Sequence, residues 1–116
     1  MATERRLEKL GVLLREELSK ILEREIEFPD GTFVTVTRAD ITPNRKSATV
    51  FVSLLGSRPK EAMEILVKSR YNIQHLINRK VSMRPVPKIR FEIDQEEFRR
   101  EQVEKSISDL KKKGEL

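Results

Sequence analysis

Apolar residues change their period along this chain, and that change restricts the fold more than any other feature. Leu7, Leu10, Leu14, Leu18 and Ile21 recur in steps of three or four, which places them on one helical face. The spacing predicts a helix over residues 4–25, with Thr3 as its N-cap. Phe28, Pro29, Asp30 and Gly31 then break the pattern. From 33 to 41 the period becomes two, but Val34 and Val36 share one parity whereas Ala39 and Ile41 share the other. A bulge near Thr37 and Arg38 reconciles them. Thr42, Pro43, Asn44 and Arg45 supply turn chemistry, and a second strand over 47–54 alternates Ala48, Val50, Val52 and Leu54 inward to complete an antiparallel hairpin.

The helical period returns after Gly56. Ser57 is placed to cap a helix that tolerates Pro59 in its first turn, and Ala62, Leu66, Ser69, Ile73, Leu76 and Ile77 keep the period to about residue 79. This describes one long helix or two nearly continuous ones. Beyond Pro85 and Pro87, Ile89, Phe91 and Ile93 alternate with Arg90, Glu92 and Asp94 as a third strand. Phe98, Val103, Ile107 and Leu110 follow at loose helical spacing among many charges. The chain therefore reads as an α+β two-layer domain over 1–94, a three-stranded sheet with helices on one face. A charged tail, weakly helical or disordered, occupies 95–116.

With 116 residues, a second domain is not expected. The net charge of +5 hides a sharper division, because residues 37–90 hold 12 basic and 3 acidic side chains while the flanks are slightly acidic. A basic middle in a nearly balanced chain suits a polyanion docking on one region. The absence of cysteine excludes disulfide and thiolate chemistry, and a single histidine leaves no His-rich metal site. Charges interleave through the first twenty residues, and no run approaches the ~18 apolar residues of a membrane span, so a cytoplasmic protein is expected.

On a regular helix Lys68, Asn72, His75 and Arg79 fall within an arc of about 60°, with Leu66, Ile73 and Leu76 assigned to the opposite half. Arg70 and Gln74 flank the stripe, and Arg84, Lys88 and Arg90 follow on the connection and third strand. Arg38, Arg45 and Lys46 join them if the hairpin turn lies on the same side. Such cations contact phosphates, while Asn72 and His75 reach a sugar or base edge. A solvated helix face is the plain alternative. Histidine is a common acid–base catalyst, but His75 has no nucleophile or orienting carboxylate at an evident local spacing, so no catalytic residues are assigned. The four glycines, 11, 31, 56 and 114, write no P-loop, dinucleotide fingerprint or GxxG clamp. No metal, cofactor or small-molecule substrate is called for. Phe51 is either covered by another element or exposed for stacking, and Tyr71 either packs or stacks.

The element order is that of a type II KH domain, α-β-β-α-α-β, lacking GxxG. With VTVTRADITPN at 34–44, SATVFVSLL at 47–55, EAMEILVKSRYNIQHLINRKV at 61–81 and MRPVPKIRFEID at 83–94, the chain resembles the ribosome-binding factor A family over about residues 4–107. That family carries a helix–kink–helix at an Ala-x-Gly step, where this chain has Ser69, Arg70 and Tyr71. The resemblance implies a monomeric, non-enzymatic assembly factor that binds the immature small ribosomal subunit and the 5′ part of its rRNA. It also implies a part in late rRNA maturation and in cold adaptation. A protein-interaction module whose basic face only aids solubility is the alternative.

Overall fold

The computed structural model describes residues 2–95. The elements run α1 (Ala2–Glu25), β1 (Thr32–Ile41), β2 (Ser47–Gly56), α2 (Pro59–Lys80) and β3 (Lys88–Ile93). This is the α+β order read from the periods. The charged tail lies outside the described residues apart from its first residue, Gln95. Helix α1 begins at Ala2, so Thr3 is inside the first turn and does not occupy the cap position.

The sheet order is β1-β2-β3, with β1 antiparallel and β3 parallel to the central strand. The change of parity in β1 is a bulge, seen as a register shift between Val36 and Arg38. Thr37 occupies it and turns its Oγ1–H toward the Asp94 carboxylate at 2.6 Å, with the Phe51 carbonyl also within 3.2 Å. Since the Asp94 amide donates to Val52 O at 2.8 Å, the bulge also fixes the end of β3.

Because paired residues share a side of the sheet, Val36, Ala39, Ala48, Val50, Val52, Ile89 and Phe91 form one face. Both helices pack on it. Leu14 and Leu18 from α1, and Leu66, Ile73 and Ile77 from α2, are fully buried in the same cluster as the strand residues. Removing each of these aliphatic side chains from water contributes about 1.5–3 kcal/mol relative to exposure. Gly11 sets how closely α1 approaches β1: a Cβ there would come within 2.5 Å of the Ala39 carbonyl oxygen.

Two further sequence expectations need correction. Ser57 does not cap α2; the N-cap position is Arg58 and has no side-chain cap bond. Entry to the helix is held instead by the Arg58 amide donating to Thr32 Oγ1 at 3.0 Å, beside Gly56, whose φ of 113° and contact with the Gly31 carbonyl leave no room for a Cβ. The second correction concerns the kink. Helix α2 runs without a break through Ser69, Arg70 and Tyr71, so no helix pair is formed. With Tyr71 where a glycine would loosen the backbone, every residue at this step favours the ordinary helical conformation.

Candidate nucleic-acid interface

An unbroken α2 keeps its polar stripe aligned. Ala62, Leu66, Ile73 and Ile77 are completely buried on one side, while Lys68, Asn72, His75 and Arg79 are exposed together on the other. The charge is graded along the helix. At its start Arg58 and Lys60 balance Glu61 and Glu64, with Arg58 paired to Glu61 at 3.6 Å, and the cations Lys68, Arg70, Arg79 and Lys80 follow with no further acidic residue on the helix. Arg79 and Lys80 in the last turn also complement the negative end of the helix dipole.

Gln74 does not join a ligand-facing stripe. Its Nε2 donates to Pro87 O at 3.0 Å and its Oε1 accepts from the Ile89 amide at 2.8 Å, so the amide grips both backbone groups at the start of β3. Nε2 also reaches Asn78 Oδ1 at 3.0 Å. Arg70, one turn earlier, lies on this same β3-facing flank but is exposed. Replacing Gln74 by alanine should lower unfolding free energy by about 1–3 kcal/mol in urea titrations, because the Ile89 N–H loses its partner. Asn78→Ala, which leaves both backbone bonds intact, should stay within about 0.5 kcal/mol of wild type.

The grip brings the hairpin turn into the same neighbourhood. Lys88 N–H donates to Lys46 O at 2.9 Å, next to Arg45, whose φ is 61°. That left-handed turn is stabilised by Asn44 Oδ1, which accepts from the Lys46 amide at 3.0 Å and from Thr42 Oγ1 at 2.7 Å. Arg45, Lys46 and Lys88 thus meet at the end of the sheet that borders α2 near Gln74.

Three other residues are placed differently. The Arg84 guanidinium folds back, and its Nη1 donates to Val81 O at 3.0 Å and Met83 O at 2.7 Å. It therefore tethers the chain leaving α2. Arg38 is on the sheet face that α1 and α2 do not cover, in register with Phe51 and Glu92. Its guanidinium carbon sits 4.1 Å from the Phe51 ring centroid and its Nε 3.6 Å from Asp40 Oδ2. Phe51 is thus half-covered by an arginine. Arg90 is on this face too, paired with Glu92 at 3.1 Å and bonded to Thr49 Oγ1 at 3.3 Å. Exposed pairs of this kind contribute little stability, about 0–1 kcal/mol, but they offset the positive charge of that face. Its register placed Arg38 away from the α2 stripe.

Lys80 is exposed on α2 and was not among the cations singled out from the sequence, and Tyr71, for which packing and stacking were both open, is exposed. The helical angle of Tyr71 puts it beside Lys68 and His75 and outside the apolar stripe. Among the described residues, no three His, Cys, Asp or Glu side chains are grouped to hold a metal ion. No helix there is long and apolar enough to cross a membrane.

Residues 6–107 match the family described as Ribosome-binding factor A. A protein of that name from Macrococcus caseolyticus is 32% identical over 107 residues, covering 90% of this chain and 94% of its own length. Its namesake from Natranaerobius thermophilus is 37% identical over 92 residues, covering 78% and 70%. The fold is similar to the crystal structure of ribosome-binding factor A from Thermus thermophilus, with a TM-score of 0.64 at 20% identity, over 73% of this chain and 91% of that one. A Thermus thermophilus homology model fitted into the cryo-EM map of a 30S complex gives a TM-score of 0.65, also at 20% identity, over 74% and 92%.

Proposed function

Because the chain belongs to the ribosome-binding factor A family, we propose that it is a cytoplasmic, monomeric assembly factor that binds the immature small ribosomal subunit through its rRNA. In this reading it promotes late maturation of that RNA, including at low temperature, by binding and not by catalysis. The observation that carries the proposal is the family match across residues 6–107, which spans every described element except the start of α1. The arrangement of α2 supports it. Lys68 and Arg79 are exposed on one rigid stripe, with Arg45, Lys46 and Lys88 clustered at the adjoining end of the sheet. Phosphate neutralisation by these groups supplies affinity, and the rigid frame selects shape. The proposal keeps domain limits of 1–94 for the RNA-binding unit, with the charged tail over 95–116, although the family match itself extends to residue 107.

Sedimentation with purified small subunits tests the proposal. Affinity should fall by at least about tenfold between roughly 50 and 200 mM salt, since each phosphate contact releases a counterion. Ultraviolet crosslinking should join rRNA to peptides of α2 and the 42–46 turn. Association that ignores salt, without an RNA crosslink, would instead identify a protein-docking module.

A further inference from the structure

Tyr71 is the most exposed large hydrophobic side chain described, at 89%, whereas the aromatic Phe91 is buried in the core. Among the described residues its ring and hydroxyl have no hydrogen-bond or ring partner. Single exposed apolar groups are ordinary, but this one has particular surroundings. Val67, one turn earlier, is 58% exposed and extends the ledge. Lys68 and His75, three residues before and four after, share its side of the helix, and exposed Arg70 lies on the opposite flank. Leu66, Ile73 and Ile77, fully buried, hold this segment of α2 rigid beneath the ring.

We propose that Tyr71 is a stacking platform for one unpaired base of the bound RNA, with Lys68 and Arg70 holding the flanking phosphates and His75 offering a ring N–H to the sugar–phosphate backbone. The inference rests on the reading of this protein as an rRNA binder and assigns it a single-stranded element. Duplex RNA keeps its bases stacked inside the helix, whereas an unpaired nucleotide can lay its face on an aromatic ring between cations. Charge also sets a direction. The strand runs from Tyr71 toward the cationic end at Arg79 and Lys80, away from the charge-balanced start of the helix. Nothing in the core needs the ring, so Tyr71→Ala, at a solvent-facing helical position, leaves the fold intact.

The sequence offers a direct probe, because it has one tyrosine and no tryptophan. Tyrosine emission therefore reports Tyr71 alone. Titration with an unpaired oligouridylate should quench that emission, and an RNA hairpin of equal length should do so far less. Tyr71→Ala should weaken binding to oligouridylate and to small subunits by about tenfold, within the range of one base–aromatic stack, without changing the salt dependence. Tyr71→Phe should bind as wild type. Unchanged binding of Tyr71→Ala to both, or binding of oligouridylate with unaltered emission, overturns the stacking role while leaving the rRNA reading standing. If the wild-type protein binds no small subunits at all, the rRNA reading fails and the stacking role fails with it.

Discussion

Lys68→Glu combined with Arg79→Glu should reduce affinity for small ribosomal subunits by about 10²- to 10³-fold near physiological salt. In the proposed interface each substitution removes a phosphate contact and adds a repelling charge. The two side chains are exposed on one stripe and separated by about three helical turns, so together they address its length without entering the core. The salt dependence should flatten, its logarithmic slope falling by about one for each cation removed. Lys60→Glu is the control for each single reversal: it makes the same change of charge on α2 as either substitution alone, but in the first turn beside Glu61, away from the cationic stretch. Arg84 is not a fair target, because its guanidinium is hydrogen-bonded to Val81 O and Met83 O and its loss would disturb the exit from α2. Undiminished sedimentation of the double variant, with wild-type circular dichroism, would sink the α2 interface.

Leu66→Ala should cost about 2–5 kcal/mol of stability, since it empties a fully enclosed position instead of trimming a surface. Leu66 lies in the cluster where α2 meets the strands and α1, so a cavity there loosens both layers at once. For a domain whose total stability is about 5–15 kcal/mol, the loss moves the urea midpoint substantially and lowers the melting temperature by more than about 10 °C. Val67, the next residue, is 58% exposed. Val67→Ala should shift stability by no more than about 0.5 kcal/mol. Similar losses at the two neighbours would contradict the assigned face of α2.

Local pattern carried most of the fold. The parity change between Val36 and Ala39 reported the bulge because alternation along a strand has a period of two, and one extra residue must show as a phase slip. The apolar stripe from Ala62 to Ile77 likewise identified the buried side of α2. What stayed hidden depends on partners remote in sequence. Nothing around Arg38 says which sheet face it takes relative to α2; that follows from its register with Phe51 and Glu92. Gln74 reads as one more polar group on a basic helix, yet its partners, Pro87 and Ile89, are thirteen and fifteen residues away. Ser57 looked like a cap because its type favours that position, but the chain there is fixed by Thr32, on another strand. The kink followed from a family pattern, and the residues that replace it here are all compatible with an uninterrupted helix.

The grip of Gln74 on β3 also bears on what the protein avoids. β3 is an outer strand of a small sheet, and an outer strand with free amides and carbonyls is a template on which another chain can extend the ladder. By taking Pro87 O and Ile89 N–H, one side chain occupies the first docking points of that template. The start of this sheet margin is thus closed from within, by a residue of the same chain.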